Sequence, residues 1–110
     1  MNAREQRLAE NELIFREVNE RVRAIATAHG ADEHVYEFYC ECSNADCTFH
    51  IEATLADYES VRARPTRFLV SPAHALPEIE RVVDRRERWW VVEKIGEAAE
   101  LAEERDPRDD

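Results

Sequence analysis

The chain has 110 residues, 25 of them acidic and 15 basic, for a net charge of −10 at neutral pH. That length allows one domain, and the acidic balance repels a phosphate backbone, which disfavours nucleic acid as a partner. No stretch approaches the ~20 apolar residues of a membrane span, and the charged opening Met1-Asn2-Ala3-Arg4-Glu5-Gln6-Arg7 lacks the apolar segment of a secretory signal. The expectation is a cytoplasmic protein with no membrane association, in a compartment where thiols stay reduced.

Residues 1–30 are predicted to form an N-terminal amphipathic helix, regular over 3–28. Leu8, Phe15, Val18, Val22 and Ile25 recur at alternating three- and four-residue spacing, with Asn11 in the remaining slot and Leu13 and Ile14 widening the stripe. Gly30 suits the left-handed closure of that helix. The stripe has two readings: a helix laid on its own domain, or a homodimer through the N-terminal helix as a short coiled coil.

Residues 31–94 are predicted to be a metal-binding α+β domain. Val35 to Cys40 is rich in aromatic and β-branched residues and reads as a strand. Ser43 to Asp46 is a turn, and Thr48 to Ala53 returns as a second strand. Thr54 and Asp57 have the spacing of a capping box at the head of a short helix with Leu55, Tyr58 and Val61 on its inner side; Pro65 ends it. Phe68 to Val70 is a buried strand, Ser71 to Pro77 a rigid loop, and Ile79–Arg85 with Trp89–Lys94 a second hairpin. Of Trp89 and Trp90, one faces inward and one outward. The outward ring, beside Arg85, Arg86 and Arg88, either anchors an unknown protein partner or lies under a terminal helix. Residues 95–110 are predicted to be an acidic C-terminal helix and a disordered tail, of which 106–110 are expected to be dispensable because they offer little to bury. The arginines at 62, 64, 67, 81, 85, 86 and 88 are expected to be solvated and balanced by nearby carboxylates.

The chemistry concentrates in the first hairpin. Cys40 and Cys42 are two apart and share a strand face; Cys47 returns after a four-residue turn. Three sulfurs so placed lack one ligand of a tetrahedral site, and His29, His34, His50 and His74 are the candidates. Strand alternation turns His50 away from the face of Cys47. His74, in a loop bracketed by Pro72 and Pro77 directly after a buried strand, is favoured; His50 and an open or redox-active site are the alternatives. Glu41, between two ligands, is expected to face away from the metal into solvent. A core of roughly 65–70 residues is the size at which a metal staple is common, and zinc is the expected ion.

The same stretches resemble a family of small, uncharacterised bacterial proteins common in high-GC Gram-positive lineages, and the use of 14 arginines to one lysine agrees with such a genome. The matching segments are Asn11–Arg21, Cys40-Glu41-Cys42-Ser43 with Cys47, Leu55–Arg62, Arg67–Val70, His74, Pro77–Val83 and Val91–Lys94. The resemblance covers about residues 10–94 and implies Cys40, Cys42, Cys47 and His74 as the ligand set, without implying an activity. The chain departs from the family in two places: Ala73 stands where Gly usually precedes the loop histidine, and Glu87-Arg88 replaces Asp-Gly in the second hairpin, which points to a longer connection.

With two glycines the chain has no Gly-rich phosphate loop, and it has neither G-x-S-x-G nor H-E-x-x-H. A Cys42 or Cys47 nucleophile with His74 as base is conceivable, but a site using all four ligands leaves no free nucleophile. The expectation is therefore not an enzyme. It is an α+β domain, with a small antiparallel sheet and a zinc-pinned hairpin flanked by terminal helices, acting as a non-catalytic zinc-binding interaction or regulatory module. The alternative is a thiol-based redox or metal sensor.

Overall fold

In a computed structural model, residues 1–30 and 33–108 are described. The elements run α1 (Ala3–His29), β1 (Val35–Tyr39), β2 (His50–Thr54), α2 (Leu55–Val61), β3 (Arg67–Val70), β4 (Glu80–Arg85), β5 (Trp90–Lys94) and α3 (Gly96–Glu104). The α+β class and both hairpins are as the sequence reading had them. Strands β1 and β2 form one antiparallel sheet, and a second has the order β3-β5-β4. Among the described residues, no helix is long and apolar enough to cross a membrane.

Local signals fix the ends of the elements. Asn2 and Glu5 form a capping box on α1, and Gly30 closes it with φ 75°. Thr54 and Asp57 cap α2 in the same reciprocal way. The β4–β5 connection spans 86–89 and is closed by the Arg86 N–H donating to the Trp89 carbonyl at 2.9 Å. Neither Glu87 nor Arg88 has positive φ, so a primed two-residue turn is absent and the strands absorb the mismatch in a bulge between Val82 and Asp84. The core is formed by Phe38, Ile51, Tyr58, Phe68, Leu69, Val70 and Val92, with Phe38 and Tyr58 stacked at a centroid distance of 4.5 Å.

The inner face of α1 differs from the sequence reading. Its buried residues are Ala9, Glu12, Leu13, Arg16, Asn19 and Ala26. Leu8, Phe15, Val18 and Val22 are half-buried, and Ile14 and Ile25 face solvent. A polar stripe packs inward because each member finds an internal partner, which offsets much of the usual penalty for burying it, although Glu12 Oε2 and Arg16 Nε are left without a hydrogen-bond partner. Glu12 pairs with Lys94, which also pairs with Glu80. Arg16 donates to the carbonyls of Pro65 and Arg67 and lies 3.5 Å from the Phe68 ring centroid. Lys94 approaches the same ring at 4.8 Å, so Phe68 is flanked by two cations, and both contacts are favourable.

Two further expectations need correction. Arg62 is not solvated: its side chain is buried and pairs with Glu20 and Asp106. The segment after α3 is not free, since Arg108 pairs with Glu20 and Glu59; residues 109 and 110 of the expected tail lie outside the described residues. Trp89 is buried and Trp90 half-buried, with Arg86 and Arg85 lying over the respective rings.

Candidate metal centre

The first hairpin extends one pair beyond its strands, because the Cys40 N–H donates to the Phe49 carbonyl at 3.1 Å. Past that point the chain opens into a turn. Asn44 accepts from the Asp46 N–H through its side chain and from the Cys47 N–H through its carbonyl, both at 3.0 Å, which bends Cys47 back toward Cys40 and Cys42. The fourth group arrives from the loop after β3. The His74 N–H donates to the Ser71 carbonyl at 3.0 Å, with Pro72 second in the turn and Ala73 third at φ 68°. This is the type II pattern, which favours Pro then Gly. The departure noted at Ala73 thus falls on the one non-glycine position with positive φ among the described residues.

The ligand atoms of Cys40, Cys42, Cys47 and His74 all lie within 4.8 Å of one another. His74 Nδ1 is 3.5 Å from Cys40 Sγ and 3.8 Å from Cys47 Sγ. Tetrahedral coordination of a metal by thiolate and imidazole separates sulfur from nitrogen by about 3.6 Å, and these two distances lie close to that spacing, so the four residues could hold a metal ion. Among the described residues, no other group of three or more such ligands converges in this way. His50 is exposed, with its ring 4.8 Å from that of Tyr39, and His29 and His34 lie against each other instead.

The three thiols do not share one electrostatic environment. A hydrogen bond from Cys42 lowers the Cys40 thiol below its ordinary value, aided by the Ser71 N–H, which donates to Cys40 Sγ at 3.1 Å. The same Cys40–Cys42 bond raises Cys42 far above its ordinary value, with burial adding to it, and burial raises Cys47. A metal ion among the sulfurs would favour their thiolate forms, since thiolate is the form that binds metal.

Glu41 faces away from this cluster, as alternation requires, but it does not reach solvent. Its side chain is fully buried. The Leu69 N–H donates to one carboxylate oxygen at 2.9 Å and the Asn19 amide to the other at 3.0 Å, with Arg16 at 3.7 Å. Its own N–H donates to the Leu69 carbonyl at 2.7 Å. Asn19 also accepts from the Tyr39 N–H at 2.7 Å and donates to the Tyr39 carbonyl at 2.8 Å. Burial pushes Glu41 up and holds Arg16 down at about 10, which leaves Arg16 charged at neutral pH. The tripeptide Cys40-Glu41-Cys42 thus offers ligands on one side and a carboxylate anchored to α1 and β3 on the other. The sequence reading missed Glu41, Asn19 and Arg16; the available signal was the spacing of Glu12, Arg16 and Asn19, polar residues on one helix face.

An open groove of 240 Å³ runs beside the cluster along Cys42–Asn44 and Ala73–Leu76. No protein-family model matches the chain, and no curated protein or solved structure does.

Proposed function

We propose that Cys40, Cys42, Cys47 and His74 hold a structural zinc ion, and that the protein is a non-catalytic zinc-binding module with an interaction or regulatory role. The convergence of four ligand atoms within 4.8 Å carries this reading. Three sulfurs and one imidazole nitrogen select a borderline-soft ion over magnesium or calcium, which take oxygen. A complete set of four protein ligands marks a structural site, since catalytic zinc keeps a position open. Zinc analysis of protein purified without added metal should give one ion per chain. His74→Ala should lose most of that zinc and much of the thermal midpoint, whereas His50→Ala should keep both. A metal-free chain of undiminished stability, or zinc lost only from His50→Ala, would refute the assignment.

A second reading, a thiol-based redox or metal sensor, is favoured by the partial exposure of Cys47 beside two buried cysteines. Peroxide would reach its sulfur first, and oxidation of a thiolate ligand releases the ion. Stoichiometric zinc release at low peroxide, reversed by a thiol reductant, would support that reading over a purely structural role.

A further inference from the structure

Two asparagines on α1 reach the chain segment that carries the first two candidate ligands. Asn19 is fully buried. Its side-chain oxygen accepts from the Tyr39 N–H at 2.7 Å, and its amide nitrogen donates to the Tyr39 carbonyl at 2.8 Å and to the Glu41 carboxylate at 3.0 Å. Asn11, the polar residue in the apolar spacing of this helix, donates to the Ser43 carbonyl at 2.9 Å. The helical rise between positions 11 and 19 is about 12 Å, so α1 grips the segment at two separate points. Cys40 lies between Tyr39 and Glu41, and Cys42 between Glu41 and Ser43. Both chain neighbours of each cysteine are therefore held by α1. From the other side, β3 holds the middle residue through two hydrogen bonds between Glu41 and Leu69, at 2.7 and 2.9 Å.

We propose that Asn11 and Asn19 are positioning residues of the metal centre, which makes the seating of α1 a determinant of metal affinity. The inference rests on the reading of Cys40, Cys42, Cys47 and His74 as a metal site. Neither asparagine is among the four converging residues; each acts through the backbone it fixes. A tetrahedral site demands definite directions from its sulfurs. Cysteine has χ1 as its only side-chain torsion between heavy atoms, so its backbone decides where its sulfur can point. Asparagine suits the task because one planar group offers both a donor and an acceptor. Asn19 thereby satisfies the N–H and the carbonyl of Tyr39 together, as a neighbouring strand would. With residues 39, 41 and 43 held, Cys40 and Cys42 have little freedom left to lose when an ion binds, and binding is tighter for it. Partners one step removed from a metal change its affinity by about 10- to 100-fold.

Zinc affinity of the full chain, measured by competition with a chromophoric chelator at a temperature where circular dichroism shows each variant folded, tests this. Asn11→Ala should bind zinc about tenfold more weakly than the wild-type chain, and Asn19→Ala up to about a hundredfold more weakly. Asn11 is only half-buried, so Asn11→Ala decides the matter if Asn19→Ala does not fold. Tyr58→Phe supplies the comparison. It removes the 2.7 Å hydrogen bond that Tyr58 donates to Glu20 of α1, away from residues 39–43. It should lower the thermal midpoint yet leave zinc affinity within about twofold, because weakening the fold as such does not alter the affinity of the chains that are folded. Wild-type affinity in Asn11→Ala, or an equal loss of affinity in Tyr58→Phe, would overturn the proposal. A wild-type chain that takes up no zinc would overturn the zinc reading and this proposal with it, whereas zinc bound equally tightly by the wild type and by both asparagine variants would overturn this proposal alone.

Discussion

Ala73 holds a left-handed backbone so that His74 can face three sulfurs. That conformation costs an L-residue about 1–2 kcal/mol relative to glycine, partly offset by the greater freedom of glycine in the unfolded chain. Ala73→Gly should therefore raise stability by about 0.5–1 kcal/mol with zinc content unchanged, measurable as a shift in urea midpoint at constant slope. A decrease would show that the turn is not strained at this position. Glu80 allows a second test at the same scale. It is buried beside Lys94, which must also serve Glu12, and desolvation pushes its carboxyl up to about 7 from its ordinary 4.5. Because the folded value is the higher one, the fold prefers the protonated form. That contribution to stability is complete below 4.5 and is lost as pH rises through about 7. Glu80→Gln, which imitates the protonated acid, should gain on the wild-type chain in thermal midpoint as pH moves from about 5 to about 8; parallel profiles would contradict this. The cluster of candidate ligands was legible in the sequence because strand alternation and a proline-bracketed loop constrain where those side chains point. Alternation also gave the direction of Glu41. It could not reveal that α1 and β3 occupy the space on that side.

At the scale of elements, strands, caps and turns were legible because each depends on neighbours in sequence. The packing face of α1 was not. Hydrophobic periodicity located a real stripe, but that stripe is only half used, and the inward face carries Glu12, Arg16 and Asn19. Those residues are comfortable there only because of Lys94, Glu41 and Tyr39, partners distant in sequence. Asn19→Ala should expose the dependence: the Tyr39 backbone groups and one Glu41 oxygen would lose their partner inside the fold. Leaving buried polar groups unpaired costs about 1–3 kcal/mol each before relaxation, so a loss of roughly 2–4 kcal/mol is expected in urea unfolding. Ile25→Ala, at a solvent-facing position of the same helix, should stay within about 0.5 kcal/mol. Equal losses for the two variants would mean that the polar stripe does not hold the helix.

The whole molecule is closed by its last described residues. Asp106 accepts from buried Arg62, and Arg108 bridges Glu20 and Glu59, so the C-terminal segment ties α1 to α2. The sequence suggested that residues 106–110 could be removed freely, since composition shows charge and says nothing of partners. Truncation after Arg105 should instead lower stability by about 1–3 kcal/mol, because it deprives a buried guanidinium of one of its two carboxylates. An unchanged unfolding curve would restore the earlier expectation. The placement of Glu41 between two candidate ligands has a further consequence, for the order of events during folding. Cys40 and Cys42 flank Glu41 just beyond the end of β1, and they reach their geometry once Glu41 is docked on Asn19 and Leu69; His74 follows only once β3 is seated. The cage is assembled from contacts distant in sequence, and such contacts form slowly. Metal capture during refolding is therefore expected to keep pace with the burial of Trp89 rather than precede it, so that the ion locks a chain already folded instead of nucleating one.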